Sequence, residues 1–139
     1  MKRGVALATI IVLAACSSGS SKDTAESALR RQIEYVSTGQ GAKAWAELHP
    51  AQQALIPEDH YVQCLAKSDV PNVKVTVDDS YQEPTVIPGT DQKVPSTALV
   101  VTLKSVLGSQ KTTFHEMNVD GVWKFSLTDP AEYADGECP

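Results

Sequence analysis

Residues 97–127 read TALVVTLKSVLGSQKTTFHEMNVDGVWKFSL, and this stretch decides the fold. Thr97 to Leu107 is the longest and most apolar run of the folded part, which marks a central strand. Gly108-Ser109 turns it and Lys111 to Val119 returns. Asp120-Gly121 is a hairpin dipeptide, because both residues tolerate the positive φ that a tight turn requires. Val122 to Leu127 then closes the sheet, with period two placing Trp123, Phe125 and Leu127 on one face. Asp129-Pro130 ends it.

Upstream, Val73, Val75 and Val77 alternate with Lys74, Thr76 and Asp78, the pattern of a half-buried strand. Tyr81 to Ile87 reads as a second strand. Pro84 cannot donate to a ladder, so it puts that strand at an edge or a bulge, and Pro88-Gly89 stops it. Before residue 69 the period changes to that of a helix. Asp23-Thr24-Ala25-Glu26 is a capping-box pattern. Ala25, Leu29, Ile33 (or Gln32) and Val36 follow at helical spacing, and Gly39 and Gly41 end that helix. Ala42, Trp45, Ala46 and Leu48 form a second helix, stopped by Pro50. Pro57 opens a third, with Glu58 and Asp59 in its first turn and Tyr61, Val62 and Leu65 as its stripe. Helices over residues 23–68, then four or five antiparallel strands in a meander, predict an α+β domain. No period of 20–50 residues recurs, which excludes solenoids and propellers.

Composition agrees with one domain. The chain has 139 residues, 42% of them hydrophobic, with 12 Lys+Arg against 17 Asp+Glu and a net charge of −5. That apolar fraction suits a packed core. The acidic balance speaks against nucleic acid as a partner, which demands a clustered positive face.

The N-terminus carries a different message. Lys2 and Arg3 precede an uncharged apolar run, Val5 to Ala15. As a helix it is about 16 Å long, against a hydrocarbon core of roughly 30 Å, so it reads as a secretory signal rather than a membrane span. Leu13-Ala14-Ala15-Cys16 resembles the bacterial lipobox. That resemblance implies cleavage before Cys16, a diacylglyceryl thioether on its sulfur, and often a further acyl chain such as palmitate on its amine. Residues 1–15 are then the signal peptide, 16–22 a lipidated tether and 23–139 the domain. Two or three acyl chains meet the requirement for stable anchoring. Cleavage removes two of the 12 basic residues and none of the 17 acidic ones, deepening the charge from −5 to −7. Lipid rather than charge must therefore hold the protein on an anionic surface. The Gly/Ser-rich Ser17–Lys22 spans about 20 Å at most, which keeps the domain close to the bilayer. The expected location is the extracytoplasmic face of a cell-envelope membrane.

With Cys16 lipidated, Cys64 and Cys138 remain, an even pair in an exported domain. They are expected to form a disulfide that ties the third helix to an otherwise loose tail, or else to remain as two free thiols. Closing a loop of about 75 residues would contribute roughly 4 kcal/mol. His60 and Cys64 share a helix face at i, i+4, but no second ligand pair stands nearby, so no metal is expected.

The three helices and the meander ending in Asp120-Gly121-Val122-Trp123-Lys124-Phe125 resemble the nuclear transport factor 2-like superfamily (SnoaL-like, cystatin-like cone). Trp45-Ala46-Glu47-Leu48-His49-Pro50 also resembles the second helix of bacterial lipoproteins with that fold. The resemblance covers about residues 23–128. It implies a strongly curved sheet wrapped on a long helix as a cone-shaped barrel with a cavity. The superfamily contains isomerases, dehydratases and non-catalytic binding or assembly domains, so the fold does not select among them.

The titratable candidates are His49, His60, His115, Asp59, Tyr35 and Tyr61. His49 before Pro50 suits a helix end, where an imidazolium favours the dipole. His115 shares a strand face with Thr113 and Met117. Trp45, Tyr61, His115 and Trp123 are the residues expected to line any pocket. Asp78-Asp79 offers carboxylates to a cation or simply to solvent. HExxH, GxSxG, phosphate-loop and EF-hand patterns are all absent, so no catalytic residue is assigned and no cofactor is expected. The leading expectation is a non-catalytic lipoprotein that binds a small apolar ligand or an envelope protein. Its rivals are an isomerase or dehydratase of the same fold, and an assembly domain acting as a homodimer through the open sheet. A buried carboxylate or His115 facing a pocket, with a donor in reach, would mark the enzyme.

Overall fold

Thr24 starts the first helix by a reciprocal cap. Its hydroxyl accepts from the Ser27 amide at 3.1 Å, and the Ser27 hydroxyl accepts from the Thr24 amide at 2.8 Å. The box therefore sits one residue later than the Asp23–Glu26 pair predicts. Asp23 instead accepts from the Ser27 hydroxyl, and Glu26 pairs with Arg30 one turn on at 2.7 Å. The computed structural model describes residues 23–68, 72–133 and 136–139. The expected signal peptide, Cys16 and the tether up to Lys22 lie outside the described residues.

Helix α1 (Ala25–Ser37) buries Ala25, Ala28, Leu29 and Gln32 along one stripe. Gly39, at φ +70°, turns the chain out of it. Gly41 does not end a helix but opens α2 (Gly41–Ala46), where a Cβ would stand 3.0 Å from the Val62 Cα. Glycine lets α2 lie this close to α4 (Glu58–Lys67) without crowding Val62. Pro50 likewise opens rather than stops an element. It is the first residue of the short helix α3 (Pro50–Gln53), where its missing N–H costs nothing.

The sheet has four strands in the order β1-β2-β3-β4, all antiparallel, curved and unclosed. The two expected upstream strands are one, β1 (Lys74–Val86), kinked by a bulge between Val77 and Asp79. Pro84 is tolerated because β1 is an edge strand, and it sits opposite Pro95, so neither strand loses a donor alone. β2 (Lys93–Ser105) is the buried strand. It joins β3 (Gly108–Val119) through Val106-Leu107, so the turn lies two residues before the expected Gly108-Ser109. Asp120 and Gly121 have φ of +53° and +86°, as a tight hairpin demands, and the Asn118 side chain accepts from the Gly121 amide at 2.9 Å. β4 (Val122–Lys124) is shorter than predicted. Phe125 leaves it to pair in parallel with Leu48, its carbonyl accepting from the His49 amide at 2.8 Å.

Two apolar clusters result. Ala25, Leu29, Leu99 and Val101 meet between α1 and the sheet, with Phe114 and Trp123 against them. Ala44, Leu48, Ile56, Tyr61 and Leu65 join α2, α4 and the intervening segment, with Trp45 and Phe125 packed on them. Fully burying a side chain such as Leu29 contributes about 2 kcal/mol. Gln52 links helices to sheet as a fully satisfied buried amide. Its Nε2 donates to the Pro88 and Leu127 carbonyls, and its Oε1 accepts from the Leu127 amide at 2.7 Å. The tail is pinned. Cys64 and Cys138 form a disulfide with Cα atoms 5.2 Å apart, and Tyr133 packs on Tyr61 with ring centroids 5.2 Å apart.

Candidate functional site

Period two on β3 sends Phe114 and Glu116 toward α1, where Phe114 packs on the Leu29 cluster. A carboxyl at residue 116 is therefore carried into the layer between helix and sheet. Glu116 has no solvent exposure. On α1, Gln32 follows Ala25, Ala28 and Leu29 on the buried stripe and is 3% exposed. The two side chains meet there, with Gln32 Nε2 donating to Glu116 Oε2 at 3.1 Å.

This pair ends a longer polar chain. Arg31 donates to Asp23 at 2.8 Å and to Glu47 at 3.0 Å, and Gln32 Nε2 reaches the same Glu47 oxygen at 3.4 Å. The hydrogen bond that Arg31 donates to Glu47 leads the effects that hold Arg31 protonated. Asp23 is lowered first by the Ser27 hydroxyl and then by Arg31. Burial pushes the Glu116 carboxyl up to about 8; the Gln32 N–H opposes the shift and the Glu47 charge adds to it. Glu116 is therefore mostly a neutral acid at pH 7. Two buried atoms of the pair, Gln32 Oε1 and Glu116 Oε1, have no hydrogen-bond partner. That contrasts with Gln52, where both ends of the amide are used.

Each member of the pair lines a different cavity. A cavity of about 210 Å³ is walled by Leu29, Gln32, Ile33, Leu103, Phe114 and Phe125, and its exposed wall is entirely apolar. A second cleft of about 330 Å³ includes Glu116, Thr97, Gln82, Met117, His49 and Trp123. One cavity thus offers grease and is lined by Gln32, the other offers polar groups and is lined by Glu116.

Of the four residues expected around a pocket, Trp123 lines the larger cleft, where its Nε1 donates to the Asp23 carbonyl at 2.9 Å. The other three line neither cavity. Trp45 packs on the helical cluster and donates to the Ile56 carbonyl at 2.9 Å. Tyr61 is a core residue of that cluster, its hydroxyl pKa raised by burial and by Tyr133. His115, on the opposite strand face from Glu116, pairs with Glu83 at 2.8 Å.

His49 reverses its expected role. Rather than an imidazolium at a helix end, it caps the start of α3, its Nδ1 accepting from the Ala51 amide at 3.1 Å. That bond needs an unprotonated Nδ1. Burial, and then the Lys124 charge, lower its pKa accordingly. Asp78 accepts from the Thr102 hydroxyl at 2.6 Å and lies 3.5 Å from Lys111, so protein groups already serve it. Among the described residues, His60, Cys64 and Cys138 converge with ligand atoms within 4.8 Å, but both sulfurs are spent in the disulfide and no thiolate remains for a metal.

Glu116 and Gln32 were missed by motif reasoning because neither belongs to a motif. The signal that finds them is a polar residue at an apolar phase: Glu116 two residues after Phe114, and Gln32 between Leu29 and Val36. No protein-family model matches the chain, and no curated protein matches it significantly.

Proposed function

We propose that this protein is an exported lipoprotein, held at the extracytoplasmic face of an envelope membrane by lipid on Cys16, whose domain binds a small, mainly apolar ligand between α1 and the sheet. The observation that carries the ligand reading is the cavity of about 210 Å³ between α1 and the sheet, whose exposed wall is entirely apolar. Small-molecule sites are concave and lined mainly by apolar and aromatic side chains, as this cavity is by Leu29, Ile33, Phe114 and Phe125. The anchoring reading is supported by Leu13-Ala14-Ala15-Cys16 after an apolar run too short to span a bilayer. No described helix is long and apolar enough to cross a membrane.

One observation favours a second reading, an isomerase- or dehydratase-like enzyme. Glu116 is a buried carboxyl bordering a cleft, with the Gln32 donor in reach and a pKa near the operating range of a general acid or base. His49 borders the same cleft. With Nδ1 accepting from Ala51, its neutral ring carries the proton on Nε2, a donor for developing charge. Against this, Gln32 Nε2 is already shared by two carboxyls.

Native mass spectrometry of the full chain released from membranes separates these readings. Binding predicts a single small adduct that Ile33→Trp, which fills the apolar cavity, removes. Catalysis predicts that an added adduct compound is recovered chemically altered, and that Glu116→Gln returns it unchanged. Bare protein in every preparation rejects both.

A further inference from the structure

The β2–β3 hairpin ends in an apolar tip. Val106 and Leu107 are 95% and 86% exposed, the most exposed large apolar side chains among the described residues. The turn itself does not ask for them. Ser105 and Gly108 close it, the Ser105 hydroxyl accepts from the Leu107 amide at 3.1 Å, and Gly108 takes the positive φ of +135°. Such turn positions are usually filled by Gly, Asn, Asp or Ser. On the strands that carry the tip, the first charges met are all positive. Lys74, Lys104 and Lys111 share the sheet face that turns away from α1: Lys74 stands opposite Lys104, and Lys111 opposite Thr102, two residues along the same strand. Like charges directly opposite one another repel. The acids of β1 begin farther from the tip, at the bulge. There Asp78 lies 3.5 Å from Lys111 and offsets one lysine, which leaves a surplus of two positive charges. That surplus runs against the net charge of −5 on the whole chain.

We propose that this tip docks on an anionic lipid surface, with Val106 and Leu107 entering the boundary between headgroups and acyl chains and Lys74, Lys104 and Lys111 lying against lipid phosphates. The proposal rests on the anchoring reading above, which brings the domain to a bilayer, and it names the face of the domain that meets that bilayer. Apolar side chains buried by roughly 5–10 Å, with basic residues behind them, are the make-up of an interfacial contact. The lysines favour lipid over a second copy of the chain, because two copies meeting tip to tip would set lysine against lysine. The reach fits as well. α1 runs from Asp23, whose carbonyl holds Trp123, toward the tip end of the sheet, where Val36 shares a cavity wall with Val73 and Leu103. Those two residues also border the cleft under Leu107. α1 has 13 residues and is about 20 Å long, and the Ser17–Lys22 tether spans about 20 Å at most, so the anchored N-terminus and the tip can meet one surface. Two apolar residues and three lysines then need not capture the chain from solution, since the anchor already holds them at high local concentration. The acidic remainder faces away, because the surface that attracts the lysines repels it.

The test uses the full lipidated chain in vesicles of phosphatidylcholine mixed with phosphatidylglycerol, and in phosphatidylcholine alone, with lipids brominated on the upper acyl chain as quenchers. Leu107→Trp puts a reporter at the tip, and Val86→Trp puts one at the far end of β1, where Val86 is 51% exposed. The parent chain supplies the background of Trp45 and Trp123. Sedimentation with the vesicles reads the anchor, and quenching reads the tip. Leu107→Trp should be quenched in the anionic vesicles and Val86→Trp should not. Added to Leu107→Trp, Lys104→Gln should lower the docked-to-free ratio about fivefold, and Val106→Asp should lower it at least about tenfold. All of these side chains are exposed, so the fold does not depend on them. A chain that sediments while both reporters are quenched alike overturns the tip proposal and leaves the anchoring reading standing. Quenching just as strong in phosphatidylcholine alone overturns the phosphate contacts. Tip fluorescence that follows protein concentration rather than lipid composition assigns the tip to a second copy and overturns the lipid surface. A chain that does not sediment with either vesicle overturns both readings.

Discussion

Gln32 and Glu116 stand 84 residues apart in the chain and 3.1 Å apart in the fold, one on the buried stripe of α1 and the other on the helix-facing side of β3. Each is placed where an apolar residue would pack more cheaply. Burying two polar side chains and leaving an oxygen of each unpaired costs stability. Among the described residues, the buried side-chain atoms without a hydrogen-bond partner are Gln32 Oε1 and Glu116 Oε1, whereas Gln52 is satisfied at both ends.

Glu116 makes stability depend on pH. Burial raises its folded pKa to about 8, above the ordinary carboxyl value of 4.5, so the folded state holds the proton more tightly. The resulting stability is fully present below about pH 4.5 and is lost as pH rises through about 8, with as much as about 5 kcal/mol at stake. Glu116→Gln should flatten that slope and leave the variant more stable than the parent at alkaline pH. Urea unfolding across this range checks it, and an unchanged slope in the variant would refute the assignment.

Cys64 and Cys138 should yield an intact mass that rises by two hydrogens on reduction. Replacing both by serine should cost about 2–4 kcal/mol, because the cross-link restrains a 74-residue separation in the unfolded chain. An identical mass with and without reductant would remove the bridge.

Two glycines separate backbone strain from crowding. Gly39 and Gly89 have φ of +70° and +82°, but a Cβ on Gly39 meets open space, whereas one on Gly89 stands 2.7 Å from Pro130 Cγ and 2.9 Å from Leu55 Cδ1. Gly39→Ala should cost about 1–2 kcal/mol for the left-handed backbone alone. Gly89→Ala should add about 1–3 kcal/mol of overpacking. Thermal unfolding of the pair reads the difference directly, and equal losses would contradict the packing of Pro130 against that turn.

Cys16→Ala should abolish acyl labelling and either release the protein from membranes or leave the precursor unprocessed. Fractionation with labelled palmitate is the measurement. Labelling that survives the substitution would place the lipid elsewhere.

The α+β class, the helix-then-meander order and the Asp120-Gly121 hairpin were all legible in the chain, because each depends on local periodicity or on a turn residue's φ preference. Element edges were less so. Gly41 and Pro50 read as terminators, since both disrupt a helix interior, yet each starts a helix. Gly41 does so for a contact with Val62, and Pro50 because its N–H is dispensable at a first turn. The bulge at Val77–Asp79 joined what looked like two strands. The site was the least legible part. The aromatic and histidine residues that attract attention serve mainly as packing and caps, whereas Gln32 was legible only as an alternative position on the helical stripe and Glu116 not at all.

Local chemistry thus determined which residues alternate and which turn, because such preferences act over a few residues. Only the tertiary structure decided that a strand carboxyl at 116 meets a helix amide at 32, that their spare oxygens go unserved, and that an apolar cavity opens beside them. Those facts depend on how α1 crosses the sheet, a relationship set by packing between distant segments that no short window of sequence contains.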